Sequence, residues 1–285
     1  FEVKRGEIVG VTGLDGNGQD DFVKILAGVQ ESHGGTTEIL DSNESFLKYN
    51  SLDDAKNNGI SFVSGDRKKE GILPNLSIYE NLVVPLYKKN SKAGFLGFVN
   101  WMELNGIFDW EVERLSIKTG PRDNLIGSLS GGNQQKVMIA RSFAQHPKVL
   151  ILNDPARGID VSTKRDLYVH LRKYVEEGNT VVFLSSELEE FIGLCPKVMV
   201  FRNGTVFDIF ENEKVNADTL LKGMFGQTAG VGETTISSKS NLTSTPVPSR
   251  SLKNNKIPEK KIVKVVDFDK ENLDENKTKI KIKTF

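Results

Sequence analysis

Eight residues near the middle of the chain constrain it most: Leu129-Ser130-Gly131-Gly132-Asn133-Gln134-Gln135-Lys136. A helical pattern follows, with Val137, Ala140, Phe143 and Ala144 on one face and Pro147 as its stop. Then comes the strand-sized apolar run Val149-Leu150-Ile151-Leu152. A serine and two glycines opening a helix leave a hydroxyl and unbonded first-turn amides facing outward at a positive helix end. That arrangement suits an anion. Ser-Gly-Gly alone also reads as a flexible turn, because both residue types favour turns for steric reasons. The surrounding chain has to decide.

At its N-terminal end, Ile8-Val9-Gly10-Val11-Thr12 reads as a buried strand after a turn. Gly13-Leu14-Asp15-Gly16-Asn17-Gly18-Gln19-Asp20-Asp21 follows and leads into a helix with Phe22, Ile25 and Leu26 facing inward. Strand, glycine-rich loop and helix in that order form the setting of a phosphate-binding loop. The glycine spacing fits, yet Gln19 stands where such a loop carries lysine and Asp20 where it carries Ser or Thr. A dinucleotide-type reading of the same glycines is the alternative. Residues 60–66 read as a strand running into a loop, and the basic run Arg67-Lys68-Lys69 as a solvated turn.

From about 75 to 128 the pattern is helical in patches, broken at Gly94, Gly97 and Gly106. Phe95, Phe98, Trp101, Met102, Phe108 and Trp110 are expected more often in the core than at a contact surface, unless some are exposed for docking on a partner. Residues 163–177 form a helix stopped by Gly178, Thr180–Leu184 a strand, Ser185-Ser186-Glu187 the start of a short helix, and Lys197–Phe201 a further strand. Arg202-Asn203-Gly204-Thr205 is a hairpin turn requiring positive φ at two positions. Short loops between alternating strands and helices imply a mostly parallel α/β sheet.

Composition narrows the function. Formal net charge is zero, which makes no case for a nucleic-acid or acidic-lipid partner. The single Cys195 excludes a disulfide scaffold, and His33, His146 and His170 are too scattered for a metal site. No run reaches the ~20 apolar residues of a membrane span. Phe1-Glu2-Val3-Lys4 reads as a strand caught in the middle, as in a piece of a longer protein. Beyond Phe225 the chain turns to Ser, Thr, Lys, Asn and Pro, with only weak alternation at 261–268 and 277–285.

Read together, Ser130–Lys136, Asn153-Asp154-Pro155-Ala156-Arg157-Gly158-Ile159-Asp160 and Ser185-Ser186-Glu187 resemble the signature motif, the Walker B and D-loop region, and the switch region of an ATP-binding cassette. The Asn-Gln-Gln-Lys continuation is similar to the ribose, xylose and galactose importer branch. The resemblance implies an α/β, P-loop NTPase-like ABC ATPase domain over 1–225, with a mostly parallel sheet, an antiparallel β subdomain and a helical subdomain at about 66–146. Composition makes 226–285 a disordered polar tail, dispensable for folding, with 261–268 and 277–285 as short strands only where a partner provides a surface.

The resemblance also implies ATP and Mg²⁺ as cofactors, a peripheral location at the cytoplasmic face of the plasma membrane, and three partners: a second cassette, transmembrane permease subunits and, indirectly, a sugar-binding protein. In such proteins the signature residues, here Ser130, Gly131, Gly132, Asn133 and Gln134, close over a nucleotide held by the other cassette, with Asp160 in the D-loop. The local nucleotide loop would be Gly13, Gly16, Gly18, Gln19 and Asp20. Gly65 stands at the Q-loop glutamine position, Asn153 at the metal-holding aspartate, Asp154 at the catalytic glutamate and Ser186 at the switch histidine. On these departures the chain is expected to be a second, degenerate cassette whose own site hydrolyses little or no ATP. Two other readings stay open: an active cassette using Asp154 and Asp20 in unusual roles, and a non-catalytic regulatory or scaffold cassette.

Overall fold

The computed structural model describes residues 2–32, 34–40, 45–87, 99–227 and 279–283. In chain order the regular elements are β1 (Glu2–Lys4), β2 (Ile8–Gly13), α1 (Gln19–Leu26), β3 (Thr36–Leu40), β4 (Phe46–Tyr49), α2 (Leu52–Asn57), β5 (Ile60–Val63), α3 (Ile78–Val83) and α4 (Trp101–Arg114). There follow α5 (Gly131–Phe143), β6 (Val149–Asn153), α6 (Val161–Glu176), β7 (Thr180–Leu184), β8 (Lys197–Arg202), β9 (Thr205–Glu211), α7 (Ala217–Met224) and β10 (Lys279–Lys283). A single π-type turn, Arg67–Gly71, links β5 to the stretch before α3.

The larger sheet has six strands in the order β5-β6-β7-β2-β8-β9, parallel except for the antiparallel edge pair β8–β9. Its central strands are buried on both faces, as parallel strands covered by helices must be. Successive side chains point to opposite faces. Val149, Ile151, Val182 and Leu184 therefore pack with Val23 and Leu26 of α1, whereas Leu150, Leu152, Val181 and Phe183 pack with α3 to α6. The predicted inner face of α5 is as expected: Val137, Ala140, Phe143 and the following Ala144 are all buried. At the β8–β9 turn, Asn203 and Gly204 take φ of 52° and 77°, the two positive angles that the turn requires.

Three expectations change. Residues 279–283, assigned from sequence to a polar tail, form β10, paired antiparallel with both β1 and β3 in a four-stranded sheet β1-β10-β3-β4. Phe108 is buried, but Trp101, Met102 and Trp110 are exposed, because α4 turns only Leu104, Phe108 and Glu111 inward. After Ser185-Ser186-Glu187 the helix is a single 3₁₀ turn, Leu188–Glu190. His33, Gly94, Phe95, Gly97, Phe98 and the rest of the tail lie outside the described residues.

Candidate nucleotide-binding groove and signature helix

The glycine-rich loop leaves β2 at Gly13 and enters α1 at Gly18, whose φ of 94° is open to glycine alone. The β8–β9 turn braces it. Gly204 N–H donates to the Asn17 carbonyl (3.1 Å) and Asn203 N–H to Asn17 Oδ1 (2.9 Å). Gln19 does not reach outward. It is 5% exposed, and its Nε2 donates to the carbonyl oxygens of Leu14 (3.0 Å) and Gly13 (3.3 Å). Its Oε1 is buried and has no partner. The side chain thus folds back beneath its own loop, with no charge to offer a phosphate. The first turn of α1 adds Asp20 and Asp21, which suit the positive helix end but compete with any other anion there.

The neighbouring strand end completes the exchange of charge. Asn153, last residue of β6 and nearly fully buried, donates from Nδ2 to Asp20 Oδ1 at 3.2 Å. A hydroxyl on the loop and a carboxylate on the strand, the usual pair at a metal, have become a carboxylate and an amide. Gly65 has a local cause too. A Cβ there would lie 3.1 Å from the Asn153 carbonyl oxygen and 3.2 Å from Asn153 Oδ1, so a side chain would require Asn153 to shift by a few tenths of an ångström.

Asp154 follows in the left-handed region, φ 43°. Its Oδ1 accepts hydrogen bonds from the Ser186 amide (2.9 Å) and hydroxyl (3.2 Å). Burial pushes its carboxyl above the ordinary range, and the two Ser186 bonds oppose that rise. Behind them, Ser185 Oγ donates to Glu190 (2.6 Å), and Lys164 Nζ pairs with Glu187 and Glu190, each at 2.7 Å. Gln19, Asp20, Asn153, Asp154 and Ser186 all line one groove of about 910 Å³, along with Gly13, Gly65, Arg67 and Arg157. Among the described residues no three His, Cys, Asp or Glu side chains converge as a metal site.

The signature residues form the start of α5. Ser130 is its N-cap, its Oγ accepting from the Asn133 amide (3.4 Å) and side-chain Nδ2 (3.0 Å). Asn133 Oδ1 in turn accepts from the Lys118 amide, and Gln134 Nε2 donates to the Leu129 carbonyl (3.0 Å each). Both side chains thus hold the preceding segment in place. Ser130 itself is exposed, and Gly131 and Gly132 are half-buried. A Cβ on Gly132 would meet Ile159 at an ordinary 3.7 Å, so packing inside the chain does not demand glycine there. Asp160 caps α6, accepting from Thr163 N–H (3.0 Å) and Oγ1 (2.8 Å), and these bonds hold its carboxyl below the usual range.

The sequence matches the ABC transporter family over residues 1–157, more than half of the chain. The chain belongs to the ABC transporter family. Its fold is the ABC ATPase cassette. It superposes on the dimeric post-hydrolysis structure of the ATP-binding cassette MJ0796 bound to ADP and Pi with a TM-score of 0.62 at 25% identity, covering 73% of this chain and 87% of that one. Among curated relatives, the ribose import ATP-binding protein RbsA of Bacillus cereus is 38% identical over 221 residues, 78% of this chain and 44% of the relative. The galactose/methyl galactoside import ATP-binding protein MglA of Mannheimia succiniciproducens is 33% identical over 222 residues, 78% of this chain and 43% of the relative. The cassette thus spans under half the length of these relatives. Among its described residues no helix is long and apolar enough to cross a membrane.

One residue of the groove had no reading of its own in the sequence. Within the basic run 67–69, Lys68 and Lys69 are exposed, but Arg67 is half-buried and donates from Nη1 to the Gly131 carbonyl at 3.0 Å. No spacing rule points to it, since its partner lies 64 residues away.

Proposed function

We propose that this cassette serves a monosaccharide importer as the second, degenerate nucleotide-binding domain, lending its signature motif to ATP held by a partner cassette. One contrast carries the reading: the α5 start keeps Ser130-Gly131-Gly132 open to approach, whereas the local loop is filled by its own Gln19 and faced by Asp20. The names of the relatives, ribose and galactose import proteins, support the class of cargo.

The residues of the loop itself suit MgATP poorly, although Lys24, Arg67, Lys68 and Arg157 also line the groove. A phosphate cradled by the loop would find the neutral Gln19 amide in place of a cation and the Asp20 carboxylate within reach. At ~4 Å and an effective dielectric of ~20, one unlike pair turned into a like pair changes the interaction by several kcal/mol. The proposed role of the chain's own groups is therefore confined to the α5 start. The Ser130 hydroxyl and the Gly131 and Gly132 amides would be the groups offered to a partner's γ-phosphate, supplying hydrogen-bond donors at a positive helix end.

The exposed Trp101 lines a second cleft with Tyr79, Tyr87, Glu80 and Arg122, a surface suited to a permease subunit at the cytoplasmic face of the membrane. The experiment is a comparison in the complete transporter. Gly132→Asp should abolish most ATP hydrolysis by setting a carboxylate against the partner's phosphate. Gly132→Ala should fold normally, and Gln19→Ala should have a far smaller effect than Gly132→Asp. Equal effects, or the reverse order, would overturn the trans-acting reading.

A further inference from the structure

The π-type turn Arg67–Gly71 lies along the signature helix and is fastened to it at three points. Arg67 Nη1 donates to the Gly131 carbonyl at the start of α5 (3.0 Å), and an Arg141 guanidinium nitrogen donates to the Gly71 carbonyl nearly three helical turns on. Between them Gly71 presses on Met138, where a Cβ would come within 2.3 Å of the methionine methyl. The turn is closed on its own side by Lys69 N–H to Asp66 Oδ1 (3.1 Å) and by Ser64 Oγ to Glu70 Oε2 (2.5 Å). Ser64, Gly65, Asp66, Arg67 and Glu70 also line the groove beside Gln19 and Asp20. One short segment therefore forms a wall of the local groove and a brace for the helix that carries the signature motif.

Stability alone does not account for Arg67. A guanidinium set against the positive end of a helix is electrostatically unfavourable. Its Nε is buried with no partner, and among the described residues it forms no ion pair. What it does gain is direction. The planar guanidinium holds the Gly131 carbonyl from a half-buried seat, so close that a Cβ at Gly131 would lie 2.9 Å from Nη2 and displace it. Local rules broken without a packing benefit mark functional positions.

We infer that Arg67 is a positioning residue of the signature motif: it fixes the orientation of the first-turn amides of α5 and ties that orientation to the loop lining the local groove. Gly131 thereby acquires a role inside its own chain, admitting the guanidinium, distinct from the role of Gly132 toward the partner's nucleotide. The functional half of this inference rests on the trans-acting reading.

The test uses the complete transporter with Arg67→Ala, Arg67→Lys and, in parallel, Gly132→Asp. Losing one hydrogen bond from a charged donor predicts that Arg67→Ala lowers kcat about 10-fold or more while the KM for ATP moves less than about 2-fold. Arg67→Lys, with a donor but no planar fork, should recover part of the loss. Hydrogen exchange at residues 131–134 should quicken in Arg67→Ala while residues 137–143 keep their protection and the melting temperature stays near that of the parent. If Gly132→Asp stops hydrolysis but Arg67→Ala leaves both turnover and exchange unchanged, the inference is wrong. Faster exchange with full turnover also overturns it, since a purely structural brace would behave so. If Gly132→Asp is silent, the trans-acting reading has failed by itself. The functional half of the inference then fails with it, and an unchanged exchange rate at 131–134 in Arg67→Ala would refute the brace as well.

Discussion

Asn153 and Asp20 have traded chemistry across 3.2 Å: the strand end supplies the amide and the loop supplies the carboxylate. The contact keeps one negative charge and one donor in a place where a metal-dependent site needs the charge on the other side. Because Asn153 is nearly fully buried, its amide has few alternative partners, and the two positions must change together.

Asn153→Asp alone should therefore be destabilising, since two carboxylates would meet at the former hydrogen bond. Like charges at ~4 Å and an effective dielectric of ~20 repel by about 4 kcal/mol, and protonation of one limits the observed loss to roughly 1–3 kcal/mol. The deficit relative to the parent should shrink as pH falls through the carboxylate range, because neutralising either group removes the repulsion. Adding Asp20→Ser should restore stability at pH 8. Urea denaturation of the three proteins at pH 8 and pH 5 checks this; additive single effects would count against the pairing.

The cassette by itself should release no phosphate from millimolar MgATP above background. Its Gln19 amide is spent on the Leu14 and Gly13 carbonyls, and Asp154 is engaged by Ser186 through Oδ1. Steady turnover that vanishes in Asp154→Asn would instead favour an active cassette with unusual residues.

Much of the fold was legible because it follows from local periodicity. The buried face of α5, the apolar runs of β6 and β7, and the two positive φ angles at Asn203 and Gly204 each depend on neighbours a few residues away. Arg67 was not legible, because a basic residue in a polar run reads as solvated until α5 is laid beside it. The exposure of Trp101, Met102 and Trp110 was hidden for the opposite reason. Their hydrophobicity argues for burial, but α4 has only one inward stripe, and Glu111 rather than a tryptophan occupies its third position.

That glutamate gives a pH prediction. Burial raises the Glu111 carboxyl from 4.5 to about 7, against the lowering effect of Arg114, whose Nη1 lies 3.2 Å from Oε1. Its Oε2 is buried without a partner. The folded state thus holds the proton more tightly than the unfolded chain, so stability is greatest below the unfolded value and declines as pH rises from about 4.5 to about 7. The shift corresponds to a loss on the order of 3 kcal/mol at most. Glu111→Gln should remove that slope, stabilising the protein by about 1–3 kcal/mol at pH 8 and little at pH 4.5. Thermal melts across this range would show it; parallel curves for the two proteins would contradict the burial argument.

The last prediction concerns β10, where pairing partners lie more than 200 residues apart in sequence and no local pattern could reveal them. The register aligns Ile280 with Val3 and Ile39, both buried, and Lys281 with Glu2 and Glu38. A slip of one residue would change every one of these register partners. Because β10 lies between β1 and β3, losing it would leave each of them with an unpaired edge. Val3 and Ile39 belong to the same cluster as Val23 and Leu26 of α1, so the sheet also supports the helix that carries Gln19 and Asp20. Lys281→Pro, which deletes a ladder N–H, should quicken amide exchange at 36–40 while β6 and β7 stay protected. Lys281→Glu should produce a smaller effect, about 0.2–1 kcal/mol per cross-strand pair, and Glu38→Lys in the same chain should reverse part of it. If exchange at 36–40 ignores both substitutions, β10 does not pair there in solution. Residues 279–283 would then be as dispensable for folding as their composition suggested.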